Sequence, residues 1–235
     1  MKRRSVMALG AIAAGAGGLW WQKSSLASWV LNQGLAITPA PIQTTAECVL
    51  TPEQSAGPFY FRSPDRQDIR EGKAGLPLNL TIQVVDVDQC TPVADAVVEI
   101  WHCDADGQYS GYTEADRQGP ERAAFLRGGQ ISDTQGMVKF VTVFPGWYTS
   151  RVTHIHAKVH AQGQSYLTTQ LYFPDPLVND IYQAHPAYTA RGASPHSLST
   201  DMLLSRYRNG TGLLLEPEGS IEGMTANIRL GVRAG

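Results

Sequence analysis

The sequence is short of charge and shorter still of cysteine. Only 17% of its 235 residues are charged, and 19 bases stand against 21 acids. With no basic excess there is no positive stripe to follow a phosphate backbone, so nucleic acid is excluded as a partner and a small molecule fits better. Three cysteines, Cys48, Cys90 and Cys103, allow one bridge and one leftover thiol. All three pairings are open. Cys48 with Cys90 is favoured because Cys103 lies inside a candidate site segment. Internal repeats and low-complexity tracts are absent, and the connections lack the helical crossovers that a parallel α/β sheet needs.

The N-terminus is distinctive. Lys2, Arg3 and Arg4 precede an uncharged run from Val6 to Trp21, the layout of an export signal ending near Ala27. Arg3 and Arg4 followed by Ser5 also resemble a twin-arginine signal, a route that carries folded proteins with cofactor already loaded. The run is short of the roughly 20 apolar residues of a membrane span, so membrane contact is expected only through an uncleaved segment. Residues 1–27 hold four bases and no acid, so their removal leaves a mildly acidic chain bound for the periplasm or the extracellular space. Residues 28–47 read as a linker or arm, and 48–235 as one domain.

Within that domain, Leu78, Leu80, Ile82 and Val84 alternate with more polar neighbours, as one buried face of a strand requires. Further strands are expected at 94–101, 137–144, 154–160, 166–173 and 226–232, with a short strand-like piece at 213–215. Residues 63–75 and 117–127 read as loops and 130–136 as a turn, while 177–184 is the one candidate helix, stopped by Pro186. Many short strands with 23 glycines and 14 prolines between them predict an all-β fold, an antiparallel β-sandwich with long loops.

The chemistry gathers in PGWYTSRVTHIH, residues 145–156. Side chains two apart in a strand point the same way, so His154 and His156 are candidates for half of a metal site, the alternative being two imidazoles that simply face water. Tyr148 stands six residues earlier, on a loop able to return its phenol to the imidazoles. A phenol is a ligand mainly for a hard, highly charged cation that can displace its proton, which points to ferric iron. Zinc sites draw on His, Cys and carboxylates, and no carboxylate lies between Pro145 and His160. The same lack argues against a metal hydrolase, which needs a general base beside the pair.

Taken together, IWHCDADGQYSGY at 100–112, PGWYTSRVTHIH and TTQLYFPDP at 168–176 resemble an intradiol ring-cleavage dioxygenase, and GPFY at 57–60 is similar to that family too. The resemblance implies non-haem Fe(III) held by Tyr109, Tyr148, His154 and His156. It implies that a catechol displaces Tyr148, which takes a substrate proton, and that O2 opens the ring between the two hydroxyl-bearing carbons to a muconate-type dicarboxylic acid. Arg151 matches the family's active-site arginine, Gln170 its glutamine, and Gly57, Pro58 and Phe59 are expected to line the pocket. Tyr112 has no counterpart in the motif and is expected to pack. No long helical region precedes the sandwich, so the layout resembles the protocatechuate-type core, where a partner subunit or a second copy completes the pocket. The competing reading is a non-enzymatic extracellular β-sandwich binding module, since the strands at 78–101 alone suit one equally well.

His102 is expected to face the core or orient a neighbour, and Cys103 to act as a small buried hydrophobe. His160 falls too far along its strand to join the pair, and His185 and His196 are expected in solvent. Asp104 and Asp106 lack the remaining ligands of a calcium loop.

Overall fold

The computed structural model describes residues 48–112, 122–161, 163–204 and 213–234. The expected export signal and linker, residues 1–47, lie outside the described residues. The strands are β1 (Pro77–Asp86), β2 (Thr91–Pro92), β3 (Val97–Trp101), β4 (Arg127–Ile131), β5 (Met137–Val143), β6 (His154–Ala161), β7 (Gln164–Tyr172), β8 (Glu218–Ser220) and β9 (Gly223–Val232). Two short helices follow β7, α1 (Asp175–Ala184) and α2 (Pro186–Thr189). Among the described residues no helix is long and apolar enough to cross a membrane.

The strands form the expected sandwich. One sheet runs β2-β1-β9-β8, with β5 also paired to β1, and the other runs β4-β3-β6-β7. The pairs are antiparallel except the longest, where β1 and β9 run parallel from Leu78↔Met224 to Asp86↔Val232. The alternation in β1 is realised: Leu78, Leu80, Ile82 and Val84 are buried, and β9 matches it with Met224, Ala226, Ile228 and Leu230. Each of the Leu, Ile, Val and Met side chains removed from water contributes about 1.5–3 kcal/mol, which fixes the register, because a one-residue slip would expose the whole row.

The second sheet is buried on both faces. Its pairing sorts the side chains into an apolar row, Val98, Ile100, Ile155, Ala157, Val159, Leu167 and Leu171, and an opposite row that includes Glu99, Trp101, His154, His156, Gln170 and Tyr172. The second row is covered by residues 51–66, a strap laid across the sheet. Gln54 N donates to Thr168 O at 2.6 Å, Tyr60 packs on Trp101 at 4.9 Å between ring centres, and Ser63 N donates to Glu99 Oε2 at 2.6 Å. The functional side chains therefore lie on the outer face of a sheet, beneath the strap.

Four expectations are corrected. Residues 63–75 are not a solvated loop: Ile69 is fully buried, and Asp65 and Asp68 make bridges to Gly129 and Val141. The turn expected at 130–136 and the loop expected up to Arg127 meet in an unforeseen strand, β4. Its Arg127 is buried, donating to Ser110 Oγ at 2.8 Å with its guanidinium 3.9 Å from the Phe61 ring centre. Residues 213–215 form no strand, only a bridge from Leu214 to Tyr172. The helix at 177–184 begins earlier, at Asp175, and α2 was not foreseen: Pro186 ends one helix and opens the next, with His185 accepting from Ala187 N at 3.2 Å.

Candidate metal centre

His154 opens β6 and His156 follows on the same face. Their Nε2 atoms are 3.1 Å apart. His154 Nδ1 donates to Val152 O at 2.6 Å, which leaves the lone pair on Nε2, and that atom lies 3.2 Å from the Tyr148 hydroxyl. His156 is stacked on Trp101, with ring centres 4.8 Å apart and planes at 4°. Tyr109 arrives from the loop after β3; its ring centre is 5.5 Å from that of Tyr148 and 6.2 Å from that of His156. The structure thus brings Tyr109, Tyr148, His154 and His156 together.

The two tyrosine loops are fitted to each other through glycine. Gly146 donates to Asp104 O at 3.1 Å, and a side chain there would strike the Asp104 and Ala105 carbonyls. Gly107, at φ +76°, faces the Trp147 carbonyl in the same way. Asp104 shapes the DADG segment, accepting from Asp106 N at 3.1 Å, Gln108 N at 2.9 Å and Lys73 Nζ at 2.9 Å. Behind the second loop, Tyr182 of α1 donates to Pro145 O at 2.9 Å and meets Thr153 Oγ1 at 2.7 Å.

The donors fit a ferric ion. Burial drives His154 down to about 3 and His156 well below its ordinary value, with Arg151 adding to both, so the rings are neutral and carry lone pairs. Burial likewise raises both phenols, Tyr109 furthest, while Arg151 partly offsets it for Tyr148. The Tyr109 hydroxyl and His156 Nδ1 are buried without a hydrogen-bond partner. A buried phenol that resists ionisation gives up its proton only to a strong cation in contact. Among the described residues no three His, Cys, Asp or Glu side chains gather to hold a metal, and the donors that stand beside the two imidazoles are phenols.

Arg151 and Gln170 stand beside the cluster. Arg151 Nη2 donates to Gln170 Oε1 at 2.5 Å, and Gln170 Nε2 donates to Ser55 O of the strap at 2.9 Å. A cleft of about 490 Å³ opens at the centre, lined by Phe59, Gly107, Gln108, Tyr109, Tyr112, Tyr148 and Thr149. Phe59 stacks on Tyr109 at 4.4 Å. Gly57 faces His156 rather than the cleft, and Pro58 is exposed and does not line it. The strap turns there, spending Gly57 on its approach to the histidine and leaving only Phe59 to reach the cavity. Tyr112 packs against Phe59 at 5.1 Å and lines the cleft as well.

The remaining histidines lie elsewhere. His102 is fully buried, bonded to Cys103 O at 2.8 Å and Thr142 Oγ1 at 2.7 Å, and Cys103 is buried too. His160 pairs with Glu99 at 2.9 Å. His185 and His196 are half-buried rather than solvated, each accepting a backbone N–H, the latter from Ser150 at 2.8 Å. Sequence reasoning missed Asp201, which meets Arg151 Nε at 2.8 Å from a loop segment with no motif around it. It also missed Gln108 and Thr149, although each adjoins a tyrosine that it did identify.

Residues 57–208 match the family model described as Dioxygenase. Among solved structures, an intradiol ring-cleavage dioxygenase from Tetranychus urticae is 30% identical with a TM-score of 0.72, over 80% of this chain and 96% of that one. A chlorocatechol 1,2-dioxygenase of Pseudomonas sp. strain P51 is 34% identical over 107 residues, 38% of this chain and 41% of its own length. A catechol 1,2-dioxygenase of Acinetobacter baylyi is 30% identical over 166 residues, 60% of this chain and 51% of its own length. The chain spans about half the length of the curated relatives it matches. The family match covers well over half of the sequence, in a fold shared along nearly the whole of the Tetranychus urticae protein: the chain belongs to the intradiol ring-cleavage dioxygenases.

Proposed function

We propose that this chain is a non-haem Fe(III) dioxygenase that opens a catecholic ring between its two hydroxyl-bearing carbons with O2, giving a muconate-type dicarboxylic acid. The observation that carries the reading is the convergence of two neutral imidazoles and two phenols, with His154 Nε2 3.1 Å from His156 Nε2 and 3.2 Å from the Tyr148 hydroxyl. Tyr109, Tyr148, His154 and His156 would hold the iron. When bound, ferric iron supplies a Lewis-acidic centre that two phenolates leave with one net positive charge, matched to a catecholate dianion.

The residues divide the remaining work. Tyr109 is buried and stacked under Phe59, placed to stay. Tyr148 is half-buried and followed by the exposed Thr149 and Ser150, the latter at φ +74°, which supports a role in which it would swing away and take a substrate proton on its phenolate oxygen. Phe59, Tyr109 and Tyr112 wall the cleft and would hold an aromatic ring away from water. Arg151 already lowers the proton affinity of Tyr148, His154 and His156, so its fixed charge is felt at the site and would stabilise negative charge building on the ring. Gln170, bonded to both Arg151 and the strap, would orient the reacting carbons.

Export through residues 1–27, by the twin-arginine route, belongs to the same proposal, because that route would carry the chain with its metal in place. The decisive experiment purifies the mature chain, measures iron and the visible spectrum, and adds a catechol panel under oxygen. A coloured protein forming a muconate is expected. A colourless chain that cannot be loaded with iron, or a ring cut beside the hydroxyls, would overturn the reading.

A further inference from the structure

Asp201 lies on the stretch after α2, within the matched residues 57–208 but outside the three motifs read in the sequence. It is 1% exposed, and four donors surround its carboxylate. Oδ1 accepts from Leu203 N and Leu204 N, both at 2.9 Å, and so closes its own turn. Oδ2 accepts from Arg151 Nε at 2.8 Å and from Val152 N at 3.1 Å. A buried carboxylate is costly unless charge and hydrogen bonds offset it, and here both are supplied by the segment between Tyr148 and His154.

Those two contacts reach the site by different paths. Arg151 is gripped from the other side by Gln170 Oε1, 2.5 Å from Nη2. A planar guanidinium anchored at two of its three nitrogens has no rotation left. Val152, whose N–H is held by Asp201, presents the carbonyl that accepts from His154 Nδ1 at 2.6 Å. One carboxylate oxygen thus fixes the site's arginine and the N–H of the residue whose carbonyl, one peptide further on, aims one of its imidazoles.

Resting on the intradiol reading above, we propose that Asp201 is a positioning residue: it locks the Arg151 guanidinium in place and, through Val152, orients His154. In Asp201→Asn the amide can keep the turn bonds of Oδ1 but sets an NH2 group against the Arg151 and Val152 donors, so both are released while the shape is kept.

Two measurements test this. In the metal-free protein, NMR should find the Arg151 Nε–H slowly exchanging in the wild type and rapidly exchanging in D201N. In the iron-loaded protein, D201N should lower kcat about tenfold or more at saturating iron, and D201N with Arg151→Ala should lose clearly less than the product of the two single losses, the excess over Arg151→Ala alone being the part that runs through His154. An unchanged Nε–H signal, or a double variant whose losses multiply, would overturn the proposal. If the wild type binds no iron and cleaves nothing, the intradiol reading fails while the NMR arm still decides the positioning. Should D201N not fold, Arg151→Lys replaces it. A lysine keeps the charge but cannot hold Asp201 and Gln170 together, so it should lose kcat as Arg151→Ala does; wild-type turnover in that variant would overturn the proposal.

Discussion

The Nε2 atom of His154 faces the Nε2 atom of His156 at 3.1 Å, and the Nδ1 bond of His154 to Val152 O at 2.6 Å puts a lone pair at that meeting point. Two ring nitrogens so close cannot both carry a proton, so the pair cannot be doubly charged. Burial keeps both rings neutral, and His102 as well.

A pH dependence follows. Burial lowers His102 from 6.5 to about 4, His154 to about 3, and His156 well below 6.5. The unfolded chain takes up these protons near pH 6.5, whereas the folded chain refuses them until the pH is far lower. The stability contributed is therefore fully present above about pH 6.5 and is lost as pH falls towards the folded values. The metal-free chain should lose up to about 1.4 kcal/mol per pH unit for each histidine. Urea unfolding at about pH 7.5, 6 and 5 reads the slope; a flat profile would show that the rings are not held neutral.

The phenols make a second prediction in protons. Burial keeps Tyr109 and Tyr148 protonated in the metal-free chain. Loading ferric iron at neutral pH should therefore release about two protons per metal, and about one in Tyr109→Phe or Tyr148→Phe. An indicator titration measures this with iron delivered as a weak chelate whose own proton exchange is subtracted. Wild-type release in either variant would remove that tyrosine from the ligand set.

The half of the site that could be read in the sequence is local. The strand parity of His154 and His156 needs only a period of two, and the loop that returns Tyr148 spans six positions. The hairpin of β6 and β7 and the buried row of β1 come from the same short-range signals. What could not be read depends on distant partners. The strand β4 is RGGQI, two glycines and a buried arginine whose environment is made by Ser110 and Phe61. Pairing of β1 with β9 joins positions about 146 apart, from Leu78↔Met224 onward, and no local period encodes it. The strap 51–66 is aperiodic because each residue answers a different partner below it. Asp201 carries no signal of its own, since an aspartate in a loop looks the same whether it faces water or a buried guanidinium.

The bridge supports a last prediction. Cys48 and Cys90 are joined, with Cα atoms 5.6 Å apart across a separation of 42 residues. Closing a loop of that length stabilises the fold by about 4 kcal/mol through the unfolded chain. The bridge sits where the strap begins, and Thr51 is pinned there independently, donating to Gly231 O at 2.9 Å and accepting from Gly231 N at 2.8 Å. Replacing Cys48 and Cys90 together by serine should therefore cost stability against urea while leaving the strap over the histidines and the colour of the loaded protein intact. Cys103, whose thiol burial pushes up, should stay silent in the native chain. Thiol counting should find none reactive in the folded protein, one after denaturation alone, and all three after denaturation with reduction. Loss of colour in that double variant would place the bridge in the support of the metal centre. A native Cys103 that reacts at the rate of a free thiol would show that the loop carrying Tyr109 opens to solvent.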